Sequence, residues 1–380
     1  MSSASTTSGT LAPKYAGLLD YGTTDYINVI LQHLYMIPAV RQALLEVPIS
    51  RPTGSDENVP DSEYEGHLLY QLQRVFDSMQ ESAGGCVEPL RFCKAVQMYG
   101  SQISLTRAED PIVFFNSFVD QLQPYLIGTP QEHLVQEVFG GSFMHHIVSH
   151  ECEHTVRTSE FFLSMFVKVA NMHNLNNSLD HFVRHEMLDG HSKYLCLQCE
   201  RPGRYVEAKK GCCIEHLPHI LVIHLMRFEF SFETFENYKV FDWFEFPSLL
   251  DMFPYTREGL TQETRPEAEE IRSNHYYHYH LVGILNHSGG GPDSGHYHSY
   301  IKEPSVAGEA TEAPKWFGFN DTNVSSFDPS CIPGACFGGV DKRHSANALF
   351  YERSNNYALW RALYSVISFC RYLLAHLDSP

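Results

Sequence analysis

The sequence is short of basic residues and cysteines and has no long apolar run. Lysine and arginine total 27 of the 380 residues against 45 aspartates and glutamates, a formal net charge of -18. A charge of this sign disfavours nucleic acid and anionic membranes as partners and suits a partner with a basic face. No stretch reaches the roughly 18–20 apolar residues that a bilayer-spanning helix needs. We therefore expect neither a nucleic-acid-binding nor a membrane-spanning protein.

The ten cysteines are also too sparse for a disulfide scaffold. The first residues, MSSASTTSGTLAPK, are rich in serine and threonine and lack the apolar core of a secretory signal. Both features favour a reducing intracellular compartment, with the cytoplasm preferred to the nucleus. Residues 1–14 are predicted to be disordered.

The pattern of apolar residues changes from helical to strand-like near residue 140. Segments 67–79 and 112–126 have apolar residues at helical spacing, whereas segment 212–230 reads as a buried strand. A helical region followed by a β-rich region predicts an α+β fold. The last segment, 356–380, is predicted to form an amphipathic helix that packs on the protein or on the rest of a longer chain.

The segment GLLDYGTTDYINVILQHLYMIP begins at Gly17 and predicts a helix that starts near Asp25. Ile27, Ile30 and Leu34 follow at helical spacing. Asp25 would then cap the helix N-terminus, where the helix dipole favours a negative charge.

Four boxes in this order resemble the catalytic domain of the ubiquitin-specific proteases. The segment at Gly17 is similar to their first box, Gly-Leu-x-Asn-x-Gly-x-Thr-Cys-Tyr-x-Asn, except that Asp25 stands where the family has its nucleophilic cysteine. The other boxes are SGHYHSYIKE, WFGFNDTNVSSF and ANALFYER, at 294–303, 316–327 and 346–353. The resemblance implies a papain-like fold with a thumb at about 15–140, fingers at about 141–215 and a palm at about 216–355.

The resemblance also assigns roles to individual residues. His296 matches the general base, Asn320 matches the residue that orients it, and Asp321 lies beside them. Asp20 stands at the position of an amide that serves the oxyanion hole. Two further residues match positions that border the ubiquitin tail: these are Asp110 and Gly295.

Three departures from the family pattern argue against cysteine-peptidase activity. The carboxylate of Asp25 cannot form the thioester of the cysteine route. Asp20 only accepts hydrogen bonds and would repel a developing oxyanion, and the loss of one such donor typically costs about 10²–10³ in rate. A family glutamine is replaced by Ala108. Three alternatives stay open: a pseudoenzyme that binds ubiquitin or another partner, a ubiquitin hydrolase in which Asp25 and His296 activate water or another residue acts as the nucleophile, and a purely structural assembly module.

A candidate zinc site combines one Cys-x-x-Cys pair with a second pair that lacks one of its cysteines. Members of this family often bind zinc through two Cys-x-x-Cys pairs, and Cys196 and Cys199 form one of them. The other pair reads Ser149-x-x-Cys152, so that His150 or His154 would have to supply the fourth ligand. The alternative is a metal-free ribbon, which the serine slightly favours.

Other segments resemble the fat-facets-like subgroup of very large ubiquitin-specific proteases. They are LYMIPAVR (34–41), VFFNSFVD (113–120), YKVFDWFEFPSLLDMFPYT (238–256) and CFGG (336–339). In that subgroup the catalytic domain is embedded in a long helical-repeat chain. The resemblance therefore implies ubiquitin or a ubiquitinated protein as the partner, and a larger helical-repeat protein as the context.

Overall fold

The computed structural model describes residues 14–49, 64–82, 84–152, 154–199, 204–261, 276–291, 294–304 and 314–354. The predicted disordered N-terminus, apart from Lys14, and the predicted C-terminal helix at 356–380 lie outside these residues.

Helices dominate the described residues before 140. In chain order the helices are α1 Asp25–Met36, α2 Pro38–Glu46, α3 Leu68–Glu81, α4 Leu90–Ala95, α5 Pro111–Leu126, α6 Leu134–Phe139, α7 Leu175–Phe182, α8 Arg257–Leu260 and α9 Ile332–Cys336. The predicted helices at 67–79 and 112–126 are therefore confirmed as α3 and α5. Within the described residues, no helix combines the length and apolar character needed to cross a bilayer.

Most strands follow residue 140. In chain order they are β1 Gly17–Leu18, β2 Cys86–Val87, β3 Gln97–Met98, β4 Ser101–Gln102, β5 Gly141–Ser149, β6 Thr155–Phe162, β7 Met165–Lys168, β8 Glu186–Leu188, β9 Tyr194–Cys196, β10 Arg204–Val206, β11 Ala208–His216, β12 Ile220–Met226, β13 Phe228–Ser231, β14 Glu236–Lys239, β15 Leu249–Asp251, β16 His278–Gly291, β17 Ser294–Lys302, β18 Trp316–Asn320, β19 Asn323–Phe327 and β20 His344–Arg353.

Two sheets carry the architecture. The larger has the order β19-β18-β17-β16-β20-β12-β7, with β15 beside β16, and only its β7–β12 pair is parallel. The smaller has the order β6-β5-β11-β8, and two-stranded ribbons, β9–β10 and β13–β14, stand apart from both sheets. Helices before the sheets in sequence, and sheets that are mainly antiparallel, confirm the predicted α+β class.

The prediction of one strand across 212–230 is wrong, because this segment contributes to three strands. The first break contains Pro218, which has no backbone N–H for a strand ladder. The second break is at Arg227, whose N–H bonds the carbonyl of Leu225 at 2.7 Å and whose carbonyl accepts from Val240 at 2.6 Å. This tight turn begins the separate β13–β14 hairpin.

Helix α1 lies between the other helices and the large sheet, and all twelve of its residues are buried. Its His33 ring stacks on Phe350 of β20 with 4.1 Å between centroids. The sheet can approach this closely because residue 283 of β16 is glycine. A Cβ there would come within 2.7 Å of His33 Cδ2 and Nε2, and within 3.3 Å of the Phe350 Cβ.

We predict that Gly283→Ala lowers the free energy of unfolding by about 1–3 kcal/mol, since the added methyl forces α1 and the sheet apart. Chemical denaturation monitored by tryptophan fluorescence measures the change. Gly290→Ala, in the same strand, is the matched control, because no atom lies within 4 Å of its Cβ position. It should stay within about 0.5 kcal/mol of wild type. Equal stability of the two variants would contradict close α1–sheet packing.

Candidate active site

Asp25 is the first residue of α1 and is not its cap, so the expectation of an Asp25 N-cap is wrong. Thr24 occupies the cap position and makes no side-chain capping bond. The Asp25 carboxylate instead accepts from the N–H of Tyr26 at 2.9 Å through Oδ1, and from the N–H of Tyr297 in β17 at 2.7 Å through Oδ2. The residue is only 4% exposed. A buried carboxylate therefore joins the start of α1 to the large sheet.

His296 lies between two sets of acceptors. Its Nδ1 is 3.0 Å from Asp25 Oδ2, whereas its Nε2 is 2.6 Å from Asn320 Oδ1 and 3.4 Å from Asp321 Oδ2. Because both ring nitrogens face acceptors, both are satisfied only in the protonated ring. The hydrogen bond that His296 donates to Asp25 is the largest influence, and it raises the pKa of His296 to about 9 against the opposing effect of burial.

Asp321 is held by Asn28, one turn into α1. The Asn28 amide donates to Asp321 Oδ1 at 2.9 Å. Asp321 has a positive φ of 48°, which a non-glycine residue adopts only when its surroundings fix it. Burial raises the pKa of Asp321, and the Asn28 hydrogen bond opposes this effect. Sequence reasoning did not assign Asn28 a role, although its place in the first box, three residues after Asp25, was a usable signal.

The carboxylate of Asp20 is bound to its own loop. It accepts from the N–H of Gly22 at 3.0 Å and from the N–H and hydroxyl of Thr24 at 2.8 and 2.9 Å. Gly22 supplies the positive φ, 103°, that this turn requires. Asp20 thus fixes the conformation of the loop that precedes α1. Its negative charge also raises the pKa of Asp321.

Asp110 and Gly295, the two residues matched to the ubiquitin tail, have different partners. Asp110 caps α5 through the N–H groups of Ile112 and Val113, and its Oδ2 lies 3.1 Å from Nε2 of His224. Burial alone would raise the pKa of Asp110, but His224 and the two N–H groups hold it below its usual value. Gly295 packs directly on His287, since a Cβ there would come within 2.2 Å of the His287 Nε2 atom.

Asp25 and His296 form a hydrogen-bonded charge pair. Both oxygens of Asp25 already accept hydrogen bonds, and the side chain is buried. Among the described residues, no cysteine has a hydrogen bond to His296. A carboxylate and an imidazolium in contact form a fixed pair that orients neighbouring groups, but no thiol is present to be activated.

Four side chains, from the β5–β6 turn and from the end of β9 and the residues after it, converge in a second cluster. Cys152, His154, Cys196 and Cys199 each offer a ligand atom, and these atoms lie within 4.8 Å of one another. The Sγ atoms of Cys152 and Cys196 are 3.7 Å apart, and Nδ1 of His154 is 3.4 Å and 3.8 Å from the sulfurs of Cys196 and Cys199. A tetrahedral zinc ion with Zn–S near 2.3 Å requires about 3.8 Å between sulfurs and about 3.5 Å between sulfur and nitrogen. This group could hold a metal ion.

Ser149 does not take part as a ligand in this cluster. Its hydroxyl accepts from the N–H groups of Glu151 and Cys152 at 3.3 and 3.2 Å, which stabilises the turn that carries Cys152. Cys152 is not turned away and His154 is close, so the geometry expected for a decayed site is not present. Of the two histidines considered from sequence, His154 is the one in the cluster.

Comparison with known proteins agrees with this fold. Residues 16–351 match the family described as ubiquitin carboxyl-terminal hydrolase. The chain is 34% identical to ubiquitin carboxyl-terminal hydrolase puf of Drosophila melanogaster over 89% of its length, and 33% identical to human ubiquitin carboxyl-terminal hydrolase 34 over 90%. It is also 32% identical to mouse ubiquitin carboxyl-terminal hydrolase 24 over 92%.

The chain spans only 9%, 10% and 13% of the length of these three relatives. Within the span, the family match covers every element from β1 to the Tyr351 position of β20. The predicted fold, the α+β papain-like fold of the ubiquitin-specific proteases, is therefore confirmed, and the chain belongs to the ubiquitin carboxyl-terminal hydrolase family.

Proposed function

We propose that this chain is a pseudo-deubiquitinase, which binds ubiquitin or a ubiquitinated protein and does not cleave it. The observation that carries the proposal is the contact between the buried Asp25 and the half-buried His296, at the place where the family resemblance expects a cysteine and its base. A carboxylate keeps the negative charge of a thiolate but cannot form the acyl intermediate of the cysteine route. Asn320 and Asp321 contact the other ring nitrogen of His296 and keep the ring oriented. The site would therefore keep its charge distribution and its geometry without the nucleophile.

The alternative in which Asp25 and His296 activate water receives less support. A general base must present a free lone pair to the water it deprotonates. Both nitrogens of His296 face acceptors, and both oxygens of Asp25 hold N–H donors. The pair would have to separate before either group could act on water.

The division into thumb, fingers and palm belongs to the same proposal. The helices α1–α6 would form the thumb at about 15–140, the smaller sheet the fingers at about 141–215, and the large sheet most of the palm at about 216–355. Ubiquitin would lie between fingers and palm, with its tail directed toward His296 past Asp110 and Gly295. The layout of the two sheets supports this division.

The fat-facets-like subgroup and the helical-repeat context are also proposed. The similarity to puf and to hydrolases 34 and 24, each several times longer than this chain, supports placing such a domain inside a very long protein. The domain would then serve as a ubiquitin-recognition module of that assembly.

We further propose that Cys152, His154, Cys196 and Cys199 hold a structural zinc ion. Three thiolates and one imidazole are a set that zinc favours, and the distances between their ligand atoms fit a tetrahedron. Zinc would tie the β5–β6 turn to the β9–β10 ribbon.

The proposal predicts that the chain binds ubiquitin but forms no covalent adduct with a ubiquitin-derived electrophilic probe, because no thiolate stands at position 25. Intact-mass spectrometry after probe incubation and a binding titration with unmodified ubiquitin test the two parts. A covalent adduct at any residue would refute the pseudoenzyme. Absence of both binding and labelling would instead support a purely structural module.

Restoring the thiol should recover activity in steps. Asp25→Cys alone should cleave a ubiquitin-fluorophore substrate poorly, since Asp20 still opposes the oxyanion. The triple variant Asp25→Cys, Asp20→Asn, Ala108→Gln should be faster by about 10²–10³. The control is Asp25→Ala with the same two other changes, which should be inactive. Equal rates for the single and triple variants would contradict the role given to Asp20 and Ala108.

The Asp25–His296 pair also makes stability depend on pH. Because folding raises the pKa of His296 from 6.5 to about 9, the pair stabilises fully below pH 6.5 and loses its effect as pH rises through 9. Asp25→Asn should lower the pKa of His296, measured by NMR, from about 9 toward 6.5. Its stability deficit against wild type should shrink between pH 6.5 and 9. The exposed Asp120→Asn is the control and should change neither quantity.

Purified protein should contain one zinc ion per chain by elemental analysis. Chelation should first increase hydrogen exchange in β9 and β10, because metal binding there contributes folding free energy. Cys199→Ser should abolish binding, whereas Cys331→Ser, an exposed cysteine outside the cluster, should keep one zinc. Protein free of zinc before any chelator is added would count against the site.

A further inference from the structure

Lys239, at the end of β14, is a buried cation that has no carboxylate partner among the described residues. The residue is only 4% exposed. Its Nζ lies 2.9 Å from His287 Nδ1 and 3.1 Å from the His287 carbonyl, and it also donates to the carbonyls of Gly289 at 3.2 Å and Arg343 at 3.0 Å. Within the described parts of the chain, no aspartate or glutamate forms an ion pair with it. All its hydrogen bonds therefore go to the backbone and to one imidazole.

Such an arrangement is costly unless the acceptors hold the ammonium firmly, because burying an unpaired charge is unfavourable. Burial, together with repulsion from the buried Arg227, lowers the pKa of Lys239 to about 8. The three carbonyls come from two separate segments, the end of β16 and the turn before β20. One ammonium thus connects β14 to both segments.

The acceptors of Lys239 lead directly to the candidate active site. His287 accepts through Nδ1, so its proton is on Nε2, the side that faces Gly295. Gly295 immediately precedes His296, and the His287 ring lies 4.9 Å from the ring of Tyr297. The N–H of Tyr297 is the one that binds Asp25. Any shift of His287 therefore moves the backbone on both sides of His296.

Lys239 also stands at the foot of an exposed aromatic hairpin. It pairs with Phe228 across β13–β14, and the Phe228 ring lies 5.1 Å from His287. At the tip, the exposed fractions of Phe232 and Phe235 are 82% and 76%. The β13–β14 and β16–β17 hairpins consequently share one buried anchor.

We propose that Lys239 is a positioning residue: it fixes the β16–β17 hairpin to the foot of the β13–β14 hairpin and thereby sets the contact between His296 and Asp25. The placement of the ubiquitin tail beside Gly295 of the β16–β17 hairpin rests on the proposed function. The positioning itself is a property of the free protein, so it is tested without ubiquitin.

The test is Lys239→Met in the full chain, which keeps the length of the side chain and removes its charge and donors. Hydrogen exchange at the ends of β16 and β17 should accelerate at least ten-fold, while exchange in α3 stays unchanged. The pKa of His296, measured by NMR, should fall from about 9 toward 6.5 as the Asp25 contact loosens. Lys342→Met is the matched control. Lys342 immediately precedes Arg343 in sequence and its side chain donates to the carbonyl of Gly334 at 2.8 Å; within the described residues, no side-chain hydrogen bond joins it to the β13–β14 or β16–β17 hairpin.

A second variant covers the case in which Lys239→Met does not fold. Gly295→Ala leaves Lys239 in place but pushes a methyl into His287 Nε2, and it should change exchange and the His296 pKa in the same direction. A folded Lys239→Met protein with the wild-type His296 pKa would overturn the inference, even if its melting temperature were lower. If Lys239→Met does not fold, a wild-type His296 pKa in Gly295→Ala would overturn it. Ubiquitin affinity of the wild type, measured separately, tests the proposed function alone.

Discussion

The complete burial of α1 is the constraint on which the rest of the structure depends. A helix covered on every side must find partners for its polar residues inside the protein. Gln32 donates to the carbonyl of Ala16 at 2.9 Å, Asn28 to Asp321, and His33 contacts the Val29 carbonyl at 2.7 Å. The hydrogen bonds of Gln32 and Asn28 reach outside α1 and fix the rotation of the helix about its axis, whereas the contact between His33 and Val29 lies within the helix. Asp25 faces His296 because the hydrogen bonds of Asn28 and Gln32, about one and two turns further along α1, hold the helix in this orientation.

A carboxylate is well suited to this position. The start of a helix provides partial positive charge, and β17 adds a backbone N–H and an imidazolium. The same surroundings would lower the pKa of a thiol, so the features that serve a nucleophile also accept aspartate. Under the proposed function, fold and chemistry are separable: a carboxylate at position 25 replaces a reactive thiolate and keeps the electrostatic balance of the interior.

Local patterns in the sequence predicted the fold class, α3, α5 and the boxes around Asp25 and His296. They did not reveal the division of 212–230, because a run of apolar residues does not show where the chain leaves one sheet. The roles of Asn28 and Lys239 depend on contacts with Asp321 and His287, and neither periodicity nor spacing determines such distant pairs. The cluster of Cys152, His154, Cys196 and Cys199 could likewise not be fully predicted from spacing. Two histidines satisfied the spacing, and only the turn after β5 places His154 beside the cysteines.

The order of strands in the large sheet has a consequence for synthesis of the protein. Strand β20, the last described strand to leave the ribosome, lies between β12 and β16 near the middle of the sheet. Until it arrives, both neighbours expose an unpaired edge, and such edges pair readily with other chains. Pairing across more than a hundred residues is also slow compared with helix formation. The helical region can therefore fold before the large sheet is complete. During that interval the exposed strand edges make the nascent chain prone to aggregation, which chaperones counteract.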